Sequence, residues 1–583
     1  MAESVIYRAL RQGPRTRRDR FQLLRTRLWS ERSSWDSHWR EIADFMLPRR
    51  MRLNPSDRNK GDKRNQNVIN STARFSIRTL QSGMHAGMTS PARPWMKLTT
   101  PDPELAQWGP VKTWLHDVTQ RMLDVFSQTN IYNIFPIVYG DLGVFGTGAM
   151  SMLEDDEDLF RCYQYPIGSY AIGLDRRGKA TTFVHEYELT VRQVVEEFGV
   201  ERGYRDIRWR NISTGVKQLW DRGDYEAPVQ VTWVVTPNEQ RDPERLGSEY
   251  LPWASCHYET GTQGDRAAGV FLRESGFRTF PIMVPRWDIT GNDSYATDWP
   301  AATALGDVKG LQIEEKDKAR AIKKMIDPPL TAPTELRTQK TSLLPGDLTY
   351  VNLREGVQGV KPIHETRIDL SHLTQDIQEV QYRIQRAFYE DLFLMLANSD
   401  PRRGRQPITA REVEERHEEK LIALGPVLDR TKDEMHEPVI DRAYSLMELA
   451  GMIPPPPEEL EGVKLKVEFT SILAQAQKLV GVAGLDRFVI SVTPMVDAAP
   501  EVLDKIDFME VVDEYGSILG VPPKIIRERE EAKQRMADRA KHQQGLVEAE
   551  QGKTLAQAAQ AAGNTPMQGD TALNRLVASG ARP

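Results

Sequence analysis

The stretch Leu396-Ala-Asn-Ser-Asp-Pro-Arg-Arg-Gly-Arg-Gln-Pro-Ile-Thr-Ala410 decides how this chain is read. A long patterned helix runs into it and a charged helix leaves it. Pro401, Gly404 and Pro407 rule out a continuous helix between the two, since proline has no N–H to donate and ordering glycine costs the most backbone entropy. Arg402, Arg403 and Arg405 are therefore predicted to stand on a loop whose ends are held by helices. Thr409, with Glu412 three residues on, fits a capping box that starts the second helix. Arginines on such a pinned loop suit contact with a phosphate backbone without base reading. The same loop also reads as a plain solvated connection, since most links between helices are short and polar.

Upstream, Leu373, Ile377, Val380, Ile384, Ala387, Asp391 and Met395 recur at helical spacing, with Phe388 and Leu392 widening the stripe. One return helix is expected through these residues, leading into the arginine loop. Its counterpart is a helix from Pro300 to Ile326, closed by Asp327-Pro-Pro329. That helix is crowded with charge, including Lys316, Arg320, Lys323 and Lys324, and its apolar residues are sparse: Leu305, Val308, Leu311, Ile322 and Ile326. So thin a stripe cannot bury the helix within one subunit, and other copies of the chain are expected to flank it. Between these helices, 327–366 is rich in proline and glycine, with short strands expected at Leu348–Leu353 and Val360–Ile363.

The remaining chain bounds the answer. Its 583 residues suffice for several units of roughly 150 residues each. A hydrophobic content of 39% with 27% charged residues describes a soluble, rather polar protein. No apolar run approaches the ~18 residues that cross a bilayer, and the N-terminus has no apolar core of a secretory signal. Cys162 and Cys256 are too few for a disulfide framework or a cysteine zinc site. The net charge of −6 does not mark a nucleic-acid binder, yet the first thirty residues hold eight arginines (Arg8, Arg11, Arg15, Arg17, Arg18, Arg20, Arg25 and Arg27) against Glu3 and Asp19. This arm suits either phosphates or acidic surface on a neighbouring subunit.

Helices are expected over 17–48, 72–83 and 109–128, with a strand at Trp95–Thr99. Gly143, Gly146 and Gly148 should bring backbones close before a strand at Ala149–Leu153. From Tyr163 to about Val284 the pattern is short strands and turns, clearest at Phe183–Tyr187, Val229–Val235 and Phe280–Pro285. Residues 410–450 read as a long helix bent at Gly425-Pro426, followed by the stiff Pro454–Pro457 run. A strand at Val463–Phe469 and helices at 472–481 and 501–515 follow, then a charged, Ala/Gln-rich tail too poor in apolar surface to fold alone.

Catalytic motifs fail on inspection. Gly173-Leu-Asp-Arg-Arg-Gly178-Lys179 spells most of a phosphate loop, but Ala180 stands where the magnesium-binding Ser/Thr belongs, and the segment reads better as a hairpin turn. The ten histidines are scattered, and His417 among its glutamates has the wrong ligand set for zinc. The acidic run Glu154–Asp158 lacks the EF-hand spacing and reads as a solvated turn. No nucleophile elbow or Cys/His pair occurs. No enzyme activity, metal or other cofactor is expected.

Five dispersed stretches resemble the portal, or head-to-tail connector, family of tailed bacteriophages, especially the short-tailed kind. They are Pro94-Trp-Met-Lys-Leu-Thr99, Gly143-Val-Phe-Gly-Thr-Gly-Ala149, Tyr295-Ala-Thr-Asp-Trp-Pro-Ala-Ala302 leading into Leu305-Gly-Asp-Val308, Arg405-Gln-Pro-Ile-Thr-Ala-Arg-Glu-Val413, and Glu468-Phe-Thr-Ser-Ile-Leu-Ala-Gln-Ala-Gln477. Each is weak alone; five in the family's order are specific. The resemblance implies an α+β, mainly α portal fold assembled as a ring. Residues 1–299 and 410–516 would form the wing, with the basic arm at 1–30. Residues 300–326 and 367–396 would be paired stem helices, 327–366 the clip, 397–409 the tunnel loop, and 517–583 a helical crown with a flexible tail.

The resemblance further implies a homo-dodecamer at one capsid vertex, assembled in the bacterial cytoplasm and retained in the virion. Double-stranded DNA would pass through it without sequence preference. Its partners would be the terminase large subunit, tail adaptor proteins, capsid and scaffolding proteins and internal ejection proteins, with no membrane. Arg402, Arg403 and Arg405 would contact DNA, and Lys316, Arg320, Lys323 and Lys324 would line the channel. Independent physics agrees: a duplex that must slide cannot be gripped, and each neutralised phosphate adds to affinity. An acidic protein with sparse basic rings suits that task. Two other readings compete. A packaging ATPase or nuclease would need the phosphate loop or carboxylate cluster that is missing. A scaffolding protein without a channel would be simpler and more helical than 163–285 allows.

Overall fold

The computed structural model describes residues 16–57, 59, 61–200, 207–260, 271–332, 334, 337, 360–362, 371–397, 424–460, 462, 465–470, 511, 532–539, 541–545, 552–554 and 557. The expected strand at Leu348–Leu353 and the helix at 472–481 lie outside them, as does that at 501–515 except for 511. The chain forms two compact units. One comprises Met1–Ala106 with Thr113–Ala483, the other Gln107–Lys112 with Gly484–Pro583. In the second unit, the described stretches 532–539, 541–545 and 552–554 are helical.

The first unit mixes helix and sheet. Its opening helix α1 (Arg17–Phe45) starts at a capping box: Thr16 Oγ1 accepts from the Asp19 N–H at 3.2 Å, and the Asp19 carboxylate accepts from the Thr16 N–H at 3.1 Å. Next come α2 (Thr72–Met88), β1 (Met96–Thr99), α3 (Gly109–Gln128, of which 113–128 belong to this unit) and α4 (Ile131–Phe145). Strands β2 (Met150–Asp155), β3 (Leu159–Gln164), β4 (Tyr170–Leu174), β5 (Ala180–Thr190), β6 (Pro228–Pro237), β7 (Trp253–Glu259), β8 (Arg273–Phe277) and β9 (Ile282–Met283) follow. Beyond them lie α5 (Pro300–Ile326), β10 (Leu330–Thr331), β11 (Lys361–Pro362), α6 (Ser371–Ala387), α7 (Glu390–Ala397), α8 (Glu437–Leu449) and β12 (Lys466–Phe469).

The strand-rich stretch builds an antiparallel meander in the order β4-β5-β6-β7-β8. Helix α1 crosses one face, setting Phe21 and Leu28 against Ala171, Val184, Val234, Ala254 and Cys256. The larger of these side chains, Phe21, Leu28, Val184 and Val234, contribute about 1.5–3 kcal/mol each when taken from water. The other face is partly covered by 191–199 and the helix Thr214–Asp221, through Val191, Val194, Val195, Ile212 and Val216. Cys162 and Cys256 are free and buried, and burial pushes each thiol up to about 12, so neither is reactive.

The arginine-rich arm has a use that its sequence did not reveal. Arg17 pairs with Glu274, Arg20 with Glu239 at 2.7 Å and Arg25 with Glu186 at 2.6 Å, while Arg18 donates to the Glu259 carbonyl at 2.8 Å. These four arginines pin α1 to its own sheet. Arg27 is exposed, and Arg8, Arg11 and Arg15 lie outside the described residues.

The phosphate-loop look-alike is a hairpin between β4 and β5. Asp175 Oδ1 accepts from the Arg177 and Lys179 N–H groups at 2.8 and 2.9 Å, and Gly178 takes φ +75°. Positive φ is where glycine is at ease and other residues are not. The acidic run likewise closes a turn, with Asp155 Oδ2 accepting from the Glu157 and Asp158 N–H groups.

A second sheet, β3-β2-β9, and a helical layer of α2, α4, α5, α6 and α7 complete the unit. Gly143 lets α4 approach Leu80 of α2, and Gly146 at φ +72° ends α4 beneath Trp299. Ribbon β1–β12 joins distant parts of the chain, pairing Met96 with Phe469 and Thr99 with Lys466. Among the described residues, no helix is long and apolar enough to cross a membrane.

Candidate nucleic-acid interface

Helix α5 begins with Pro300 in its first turn, where the missing N–H costs nothing. Trp299 anchors that end by donating from Nε1 to the Val144 carbonyl at 2.8 Å. The first half is a core helix: Ala301, Ala304, Leu305, Val308, Leu311 and Gln312 are buried. Gln312 Oε1 accepts from the Ile69 and Asn70 N–H groups at 2.6 and 2.7 Å, clamping the loop before α2.

The second half differs. Ile313, Met325 and Ile326 are 61%, 51% and 79% exposed, and Ile322 is 38% exposed. The thin stripe read from sequence is thus only half used by the subunit itself. Lys316, Arg320, Lys323 and Lys324 are all exposed and fall on one helical face. Arg320 meets Asp317 at 3.2 Å, whereas Lys316, Lys323 and Lys324 make no ion pair among the described residues.

Helix α6 lies against α5 through Ile377, Val380 and Ile384. Arg383 meets Asp307 at 3.1 Å. Close by, burial first and Asp376 second raise the Glu314 carboxyl. The helix expected over 367–396 is broken: Tyr389 takes φ +56°, and α7 sets off from Glu390. For a tyrosine this conformation costs on the order of 1–2 kcal/mol. Packing supports it, with Trp287 at 6.1 Å from the Tyr389 ring and Ser76 donating to Glu390 at 2.6 Å. The apolar repeat runs on unbroken through Phe388 and Leu392, so periodicity could not show the break.

Arg402, Arg403 and Arg405 lie outside the described residues, as does His417. The chain is described again from 424, in a helix that reaches 431 and passes through a π-helical turn, Lys432–His436, into α8. Residues 425 and 426, where a bend was expected, are helical, but the residues before 424 that would show it lie outside the described ones; the described helix departs from α-winding at Lys432–His436. Three ties that sequence reading missed hold this stretch. Arg286, 3% exposed, grips Glu434 with Nη2 to Oε1 at 2.6 Å and its own N–H to Oε2 at 2.8 Å. His436 Nε2 is 2.8 Å from Tyr139 Oη, which is 3.0 Å from Thr89 Oγ1. Arg442 donates to the Met152 carbonyl at 2.7 Å and to Thr279 Oγ1 at 2.7 Å. Only the presence of an arginine or histidine amid apolar spacing hinted at them.

What this arrangement serves is clarified by relatives. A family model described as bacteriophage head to tail connecting protein matches residues 18–526. The chain belongs to that head-to-tail connector family. It is 41% identical to the portal protein of Salmonella phage epsilon15 over 97% of this chain and 99% of that one. It is 43% identical to the probable portal protein of Bordetella phage BPP-1, covering 86% and 87% of the two chains. The gene transfer agent virion chain aligns over 78% of this chain and 91% of its own, at 11% identity and a TM-score of 0.35, which is too slight to bear on the fold. As a connector family member the chain functions as a phage portal, a structural virion component and not an enzyme.

Proposed function

We propose that copies of this chain close into a ring whose channel carries double-stranded DNA into the capsid and out again. In this reading α5 and α6 are the stem, 327–366 the clip that docks the terminase and later the tail adaptors, and 397–409 the tunnel loop. Lys316, Arg320, Lys323 and Lys324 face the channel, and Arg402, Arg403 and Arg405 stand nearest the duplex. The ring is a homo-dodecamer at one vertex, assembled in the host cytoplasm. The observation that carries the proposal is the second half of α5. It leaves Ile313, Ile322, Met325 and Ile326 unburied beside three lysines that make no ion pair among the described residues. Neighbouring copies would cover the first set, and DNA would meet the second.

The test replaces Arg402, Arg403 and Arg405 by glutamine together. Exposed loop changes usually cost under about 0.5 kcal/mol, so assembly and melting should be unchanged. Phosphate contacts made around the whole ring would be lost, so virions should hold shorter genomes or leak them. Retention equal to the parent's would remove this loop from the account.

A further inference from the structure

Between Asp62 and Asp102 the sequence carries no carboxylate, while Lys63, Arg64, Arg74, Arg78, Arg93 and Lys97 stand in it. Arg64 is taken up by Asp57 and Lys97 by Glu468. Arg74 and Arg78 are exposed on α2 and make no ion pair among the described residues. Their spacing of four puts them on one side of the helix, with Phe75 beside them and 63% exposed. Ile69, just ahead of the helix, is exposed as well. The inner side of α2, with Ala73, Ile77, Leu80 and Met84, is buried, and no described part of the subunit covers the outer one. Arginines flanking an exposed aromatic ring are the composition of a protein-docking surface. Phosphates alone would call for the arginines without the ring.

The complement lies on the seam between α5 and α6. Asp307 meets Arg383 there, with Asp376 and Glu379 beside the same guanidinium. Glu314 faces Asp376 across the seam, and its Oε2 is buried without a hydrogen-bond partner. Four carboxylates thus share Arg383, and Arg386, two turns beyond Glu379, leaves the balance acidic. The exposed Met325 falls on the same side of α5 as Glu314, which gives this seam an apolar border.

We propose that the outer face of α2, through Arg74, Phe75 and Arg78, docks on the acidic α5–α6 seam of a second copy of this chain. The two surfaces differ, so the contact is heterologous and repeats from copy to copy. The proposal rests on the reading that copies close into a ring, and it names the charges that hold neighbours in register.

Charge reversal on the purified full-length protein, followed by sedimentation and native mass measurement, tests the seam. Arg74→Glu with Arg78→Glu is one variant, and Asp376→Lys with Glu379→Lys is the other. Each alone sets like charges across every contact and should raise the concentration for half-assembly by about tenfold or more. Mixing the two restores opposite charges at every contact, because copies can alternate around the ring, so rings should return at the parent's concentration. Damage within a subunit could not be cured by mixing. Rings from either variant alone at the parent's concentration, or no return on mixing variants whose circular dichroism is parental, would overturn the proposal. If a reversed variant does not fold, Arg74→Gln with Arg78→Gln removes the charge and should raise the half-assembly concentration several-fold; an unchanged value overturns the proposal. A parent that stays monomeric would remove the ring reading itself, whereas parental rings indifferent to these charges would remove only this seam.

Discussion

Phe393 lies directly against the backbone of Gly83, in the space a Cβ there would occupy. This contact seats α7 on α2, and Phe393 is only 4% exposed, so it has no free direction in which to yield. Gly83→Ala should destabilise the protein by about 1–3 kcal/mol through overpacking. The same change at Gly306, which has open space around it, should be neutral or slightly stabilising through helix propensity. Denaturant midpoints of the two variants measure the difference.

Two arginines two residues apart on α1 should behave oppositely. Arg25 neutralises Glu186, whose side chain is 7% exposed, and lies over the Trp29 ring at 5.1 Å. Arg25→Ala should cost about 1–3 kcal/mol, mostly from stranding that carboxylate. Arg27→Ala should stay within about 0.5 kcal/mol. Equal effects would mean that the arm is not pinned to the sheet as described.

These arginines also mark where sequence reading stops. The span of α5, the hairpin at Asp175 and the close packing at Gly143 were legible, because periodicity, turn chemistry and glycine act within a few residues. The partners of Arg17, Arg20 and Arg25 lie more than a hundred residues away, and nothing local names them. At Tyr389 the apolar stripe continues while tertiary packing breaks the helix. At 432–436 the extra residue is present in the spacing of buried side chains, a one-residue offset that is lost among the apolar positions of the sequence. The exposed face of Lys316, Arg320, Lys323 and Lys324 on α5 followed from helical spacing, whereas the buried ties of the return helix, Arg286 to Glu434 and Tyr139 to His436, were not legible.

Acid should loosen the aromatic cluster around His436. This imidazole, enclosed by Trp95, Phe135, Tyr139 and Phe469 and with Lys432 nearby, has its pKa lowered to about 3 from an ordinary 6.5, first by burial. The unfolded chain takes up the proton below about 6.5 and the folded chain only near 3, so this contribution is complete above 6.5 and lost progressively as pH falls. Between these limits the slope approaches about 1.4 kcal/mol per pH unit for this group. His185 and His257 are lowered in the same sense but are half-buried and should add less. Unfolding free energies measured from pH 7 to pH 4 should show a slope shallower by up to one proton in His436→Gln. An identical slope in the two proteins would show that His436 is already accessible to protons.

The central claim is that the exposed half of α5 is covered by further copies of the chain. Heterologous contacts of one surface with another close into a ring when the rotation between copies is right. End-on electron micrographs of the purified protein, combined with native mass measurement, test this directly. The account predicts closed rings of uniform copy number, a dodecamer, with an open centre wide enough for a duplex. A stable monomer at micromolar concentration and physiological salt, with α5 unchanged in its hydrogen exchange, would contradict it.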